Sequence, residues 1–279
     1  MRSSLEIFDM LTRSTRVIWQ SEALYEAPNW HPDGQKLLIN GNGRLYWIGL
    51  DGSGPTEIDT GSAIACNNDH GISPDGGTLV ISDKAETCDS CIYTLPLSGG
   101  TPKRITPLVP SYWHGWSPDG RNLAYCCRRE GDYQIATCPA VGGPEKILTT
   151  GPAHHDGPDY TPDGAWIWFN SDRSGSSELW RIKPDGSDLE QMTMDERVNW
   201  FPHPSPDGTH IVYLAYPEGT LQHPRDLDVE LRRIGPDGAG KQTLVSLFGG
   251  QGSINVPCWS PDGSAFAFMR YFPERPDHK

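Results

Sequence analysis

A tetrapeptide that recurs six times limits the folds open to this chain more than any other feature. It reads His31-Pro32-Asp33-Gly34, Ser73-Pro74-Asp75-Gly76, Ser117-Pro118-Asp119-Gly120, Thr161-Pro162-Asp163-Gly164, Ser205-Pro206-Asp207-Gly208 and Ser260-Pro261-Asp262-Gly263. The six aspartates fall 42, 44, 44, 44 and 55 residues apart. Pro presets φ at the second turn position, Asp accepts from nearby backbone amides, and Gly takes the position with φ > 0. Each copy therefore joins two antiparallel strands, and the interval between copies is that of a repeated four-stranded unit.

The remaining strands of each unit can be read around the turn. An apolar run follows every copy, from Lys36 to Ile39, Thr78 to Ile81, Asn122 to Cys126, Trp166 to Phe169, His210 to Leu214 and Ala265 to Met269, and reads as a second strand. Apolar anchors ten residues apart then mark the third and fourth: Ile48 to Ile58, Leu95 to Ile105, Cys138 to Leu148, Ile182 to Met192 and Ile234 to Leu244. The same step joins Phe8 to Ile18, where no turn tetrapeptide precedes it, while the chain stops at Lys279 one strand after its last turn.

These patterns predict an all-β chain folded as a single six-bladed β-propeller over residues 1–279, its last blade taking two strands from each terminus. The blades fall at about 21–60, 61–106, 107–150, 151–194, 195–246, and 247–279 plus 1–20. A ring closed in this way leaves no sheet edge at the join. Paired β-sandwiches, the competing all-β architecture, have no reason to repeat at a four-strand period.

Charge and composition narrow the partners. The formal net charge of −13, with Lys and Arg scattered along the chain, argues against a nucleic-acid partner. No apolar run is long enough to span a bilayer, and the first thirty residues lack a signal-type apolar core, so a cytoplasmic location is expected, or a periplasmic one for a processed form. Seven cysteines, an odd number, point the same way. Cys88-Asp89-Ser90-Cys91 has half-zinc or redox spacing, but lacks a second pair and reads as incidental. A monomer is expected.

The unit Trp116-Ser117-Pro118-Asp119-Gly120, followed by Asn170-Ser171-Asp172-Arg173 and Glu178-Leu179-Trp180 in the next blade, resembles the WD40-like PD40 repeat of bacterial TolB-like propellers. That resemblance covers nearly the whole chain and implies the fold. It leaves function open, because similar repeats build the periplasmic TolB protein, propeller domains of prolyl oligopeptidase-type enzymes and sugar-acid lyases. TolB carries an additional α/β domain and a secretion signal, which this sequence is expected to lack. The peptidases need a G-x-S-x-G elbow, which the sequence does not contain. A more distant resemblance to oligogalacturonate lyases, which hold a divalent cation with channel histidines, implies a metal-dependent alternative.

In a propeller the first strand of each blade lines the central channel, so residues just before each turn converge. Seven positions before the turn aspartates stand Glu26, Asn68, Tyr112, Asp156, Trp200 and Asn255; five before stand Pro28, His70, His114, Pro158, Pro202 and Pro257; four before stand Asn29, Gly71, Gly115, Asp159, His203 and Cys258. The candidate ligand-binding set is Asn68, Asp69, His70, Tyr112, Trp113, His114, His155, Asp156, Asp159, Trp200, His203 and Asn255. His70, His114, His155 and His203 are the candidate ligands if a divalent metal is bound, since imidazoles on rigid strands suit such an ion. The aromatics suit a saccharide or other small polar ligand. A channel whose polar groups bond only one another and water is the other reading.

The fifth unit carries eleven extra residues in Tyr216–Asp228, and long insertions in regular repeats tend to carry function on one face. His223, Arg225 and Asp228 are therefore expected over the channel, with Arg225 the partner for a carboxylate or phosphate. Two classes of function remain at this stage: a binding or interaction module, for a small ligand or a protein partner, and a metal-dependent enzyme acting on acidic saccharides.

Overall fold

A computed structural model describes residues 1–273 and shows the six-bladed all-β architecture, with no helix among the described residues. None of them therefore forms a helix long and apolar enough to cross a membrane. Five sheets have four consecutive antiparallel strands: Glu26–Trp30 to Thr56–Glu57, Cys66–Ile72 to Lys103–Arg104, Ser111–Trp116 to Lys146–Ile147, His155–Tyr160 to Glu190–Gln191, and Val198–Pro204 to Gln242–Gly249. The inner strands of these blades surround the channel.

The turn tetrapeptides adopt one geometry. In the second blade Ser73 Oγ donates to Asp75 Oδ1 at 2.6 Å, the Gly77 amide donates to the same oxygen at 3.0 Å, and Ser73 Oγ accepts from the Thr78 amide at 3.0 Å. Gly76 takes φ of +70°, which a side chain would strain. The same bonds recur at Ser117 and Asp119, Ser205 and Asp207, and Ser260 and Asp262. These bonds hold the exposed Asp262 carboxyl at about 2, below its ordinary value. In the first blade His31 replaces Ser, and its Nδ1 accepts from the Asp33 amide at 3.1 Å.

Between blades the buried contacts are largely apolar, joined by bonds such as those from the Trp113 amide to Ser82 Oγ at 2.9 Å and from the Phe201 amide to Asn170 Oδ1 at 3.1 Å. Val80 and Ile92 of the second blade are buried with Trp113, Leu123 and Tyr125 of the third, and each large side chain so buried contributes about 1.5–3 kcal/mol. Trp113 is fully buried against Gly71, where an added Cβ would lie 2.1 Å from the indole ring, so this neighbour must be glycine.

The sixth blade is assembled differently. Its outer strands are Arg2–Asp9 and Ser14–Ser21, and Arg2–Asp9 pairs along its whole length with Ala265–Phe272. Arg270 reinforces the join, donating from Nε to the buried Glu6 Oε1 at 2.9 Å. The innermost segment, however, forms no regular strand: it touches Ala265–Phe272 through one bridge, Trp259 to Phe266, and through bonds from the Ala267 and Met269 amides to the Cys258 and Ser253 carbonyls. The C-terminal end thus supplies one regular strand where the sequence suggested two. Pro257 has no amide to donate, and the carbonyls of Ile254, Asn255 and Pro257 accept from His203, His114 and Asn29 of other blades.

Deleting residues 1–21 removes both outer strands and leaves Ala265–Phe272 without its regular partner strand. The truncated chain is expected to lose its cooperative thermal transition, as circular dichroism would show; a melt matching that of the full chain would contradict this closure.

Candidate functional site

Every complete blade carries an irregularity in its inner strand, at Glu26/Asn29, Cys66/His70, Trp113/Gly115, Asp156/Asp159 and Trp200/His203. A bulge re-aims the side chains beside it. In three blades the residue six before the turn aspartate has left-handed φ: Ala27 at +56°, Gly157 at +60° and Phe201 at +54°. The channel therefore divides into a packed interior and an open mouth.

The packed interior takes five candidates, His70, Trp113, His155, Asp159 and His203, out of reach of a ligand. His203 is fully buried, with Nδ1 3.0 Å from Asp159 Oδ2 and Nε2 on the Ile254 carbonyl, and its own carbonyl accepts from Trp259 Nε1 at 2.9 Å. His70 is fully buried with Nε2 3.2 Å from Asn40 Oδ1, and burial lowers its ring to about 3. His155 lies on the face of its strand opposite Asp156, against Phe169, and burial with Arg173 lowers it to about 4. The four histidines His70, His114, His155 and His203 thus do not meet around one ion. Trp113 is likewise a packing residue.

At the mouth the site centres on Asp156. Its Oδ1 accepts from the Gly157 amide at 2.8 Å and lies 3.1 Å from His114 Nε2. His114 Nδ1 is 3.0 Å from the Asn255 carbonyl, and Asp69 Oδ1 lies 3.9 Å from Nε2. Burial pulls the His114 ring down, but Asp156, Asp69 and that carbonyl outweigh it and raise the ring to about 9. His114 is therefore an imidazolium at neutral pH. Burial would raise Asp156, yet His114 and His154 hold it well below the usual carboxylate range. Asp69 goes the other way: burial lifts it to about 6 despite His114 and the amides of Asn255 and Asn67, 3.0 and 2.7 Å from its two oxygens.

Two histidines face the second oxygen of Asp156. His154 Nε2 stands 3.6 Å and His223 Nε2 3.7 Å from Oδ2. His154 stacks on Tyr133 with ring centroids 4.3 Å apart, and Trp200 stands edge-on to His223 at 4.5 Å. His223 belongs to the long insertion, which Gly250 pins: an added Cβ at Gly250 would lie 2.0 Å from the Pro224 carbonyl oxygen. His154, Asp156 and His223 together form a cluster able to hold a metal ion, their ligand atoms all within 4.8 Å of one another.

A cavity of about 880 Å³ opens over this cluster. Of the candidates, Asn68, Asp69, Tyr112, His114, Asp156, His223 and Arg225 line it; Asn255 supports it from below through its bonds to Asn68 and Asp69. Asp228 does not reach it, because the strand Leu227–Ile234 has already begun there and carries that side chain to the exposed surface. Sequence reasoning left Glu26, Asn67, Tyr133 and His154 out of the candidate set. Glu26 has a buried Oε1 with no hydrogen-bond partner and only Arg225, at 3.5 Å, as counter-charge; burial raises its carboxyl against that pull. The register list did contain Glu26, and the pair His154-His155 was visible, but the choice between its members depends on which face of the strand is inward. Cys88 and Cys91 are unpaired, Cys91 donating to the Thr106 carbonyl at 3.0 Å.

A six-bladed ring with an acidic and imidazole-lined mouth is the class that this fold and site define. The family description "TolB beta propeller domain" (PD40) matches residues 111–234. Atu1656 of Agrobacterium fabrum, an uncharacterized protein, is 52% identical over 274 residues, covering 98% of this chain and 94% of its own length. A solved structure from Agrobacterium tumefaciens, assigned provisionally to TolB, is 52% identical and superposes with a TM-score of 0.96 over 98% of this chain and 99% of its own. The chain belongs to the TolB-like β-propeller family. An oligogalacturonate lyase in complex with manganese shares the fold at a TM-score of 0.57 and 16% identity, over 88% of this chain and 74% of its own.

Asn255→Ala removes the amide that ties Asn68 and Asp69 to the innermost segment. The expected cost is about 1–3 kcal/mol, read from denaturant unfolding, because two buried acceptors lose a donor.

Proposed function

We propose that this protein is a TolB-like binding module whose channel mouth takes a small polar, hydroxyl-bearing ligand of monosaccharide to disaccharide size. The observation that carries this reading is the recessed cavity of about 880 Å³, in which buried polar groups keep unused bonding capacity. Glu26 Oε1 and His223 Nδ1 are both buried without a hydrogen-bond partner, and such groups cost free energy unless a ligand or water satisfies them. Around them Asn67, Asn68 and Ser90 offer neutral donors and acceptors, while Tyr112 offers a ring face.

A recess of this depth suits a small molecule better than a flat protein surface, so a protein partner would engage the rim rather than these groups. The His154, Asp156 and His223 donors also suit a divalent cation as cofactor. With such an ion in place the module would become the metal-dependent alternative, comparable to the manganese-bound lyase. What distinguishes the two is whether the ligand needs the ion.

The test uses D-glucose and D-glucuronate as neutral and acidic probes in a chelator-treated sample, followed by calorimetry. At least one is expected to bind, and Asn67→Ala with Tyr112→Phe is expected to weaken it by about tenfold for each hydrogen bond lost. If neither probe shows any heat, or if the variants bind like the parent, this reading fails.

A further inference from the structure

We propose that His154, Asp156 and His223 are the protein's share of a three-ligand site for a first-row divalent transition metal, with its remaining positions open to the cavity. This inference rests on the cavity being a binding site, and it adds which ion the site takes and which atoms hold it.

The donor set is incomplete as it stands. Asp156 Oδ1 is occupied by the Gly157 amide and by His114, so Oδ2 is the free oxygen. Both imidazoles present Nε2 to it at 3.6 and 3.7 Å, beyond hydrogen-bonding range for either. Donors about 2.1 Å from a common ion lie about 3.0–3.4 Å from one another, for octahedral to tetrahedral angles, so small rotations of the two rings would close the set. Two imidazoles and one carboxylate select zinc, iron, cobalt or manganese over magnesium and calcium, which prefer all-oxygen ligands.

The surroundings fit a metal site as well. The ring of His114 fixes the carboxylate through its other oxygen, and an outer partner of this kind orients a metal ligand. Tyr133 supports His154 by stacking and Trp200 supports His223 edge-on, so neither ring is free to turn away from the cluster. The ligands also come from two origins: His154 and Asp156 from the start of the fourth blade, His223 from the connection between Ile211–Tyr216 and Leu227–Ile234. An ion would therefore tie the insertion to the channel wall.

Untagged protein, stripped with chelator and dialysed, is titrated with Co²⁺ and Zn²⁺. One equivalent is expected to bind, with a visible Co²⁺ spectrum of mixed nitrogen and oxygen ligation and slower amide exchange across residues 217–226. His154→Ala and His223→Ala should each weaken binding by at least about 100-fold. His210→Ala, outside the cavity beside Arg233, should leave it unchanged. Should either alanine variant fail to fold, His154→Gln and His223→Gln take its place. Binding that survives the loss of both imidazoles, or a protein that takes up no ion, overturns the site. Sugar binding by the stripped protein would then leave the binding module standing, so the two proposals fail separately.

Discussion

The short segment Ile254–Pro257 is the piece on which the channel depends. It gives up strand pairing, and its carbonyls accept from Asn29, His114 and His203, which belong to the first, third and fifth blades. The Asn255 side chain adds the second blade through the Asn68 carbonyl and Asp69. The fourth blade joins one step removed, Asp156 holding His114 and Asp159 holding His203. All six blades are thereby tied to one stretch of backbone on the axis. Buried polar groups are tolerated when connected, and these bonds make the core of the ring specific, although Asn29 Oδ1 and Asn255 Oδ1 have no partner.

Around that knot, packed groups and cavity-lining groups are distinct. His70, His155 and His203 are fully buried and do not line the cavity, His70 bonding Asn40 and His203 held between Asp159 and the Ile254 carbonyl. At the cavity, His114 is held charged and fixes Asp156, whose second oxygen turns toward His154 and His223. The insertion in the fifth blade supplies the last of these. The ring's packed interfaces thus provide rigidity, and a few charged groups gather at the cavity.

The fold was legible because its signals are local and repeated: five of the six turns use a Ser or Thr hydroxyl and the turn Asp for the same bonds, and the spacing between turns counts the strands. The site was legible only in outline. Counting back from the turn aspartates located Asp156, His114 and Asp69, but the bulge in every inner strand breaks the alternation of faces, so the count selects His155, which points the other way, and passes over His154. Length alone flagged the insertion and with it His223 and Arg225. It did not tell that Asp228 already belongs to the next strand. The irregular inner segment of the sixth blade follows from carbonyls bonding to distant side chains, which no local pattern encodes.

The protonation of His114 tests this account most directly. A ring raised to about 9 in the folded chain contributes stability in full below its ordinary value of 6.5, and that contribution is lost as pH rises through about 9. Nitrogen-15 spectra of the histidine side chains between pH 5 and 10 are expected to show both His114 nitrogens protonated up to about pH 9, bonded to Asn255 and Asp156. A His114 ring that loses its proton near 6.5, like an exposed histidine, would contradict the knot on which the channel is built.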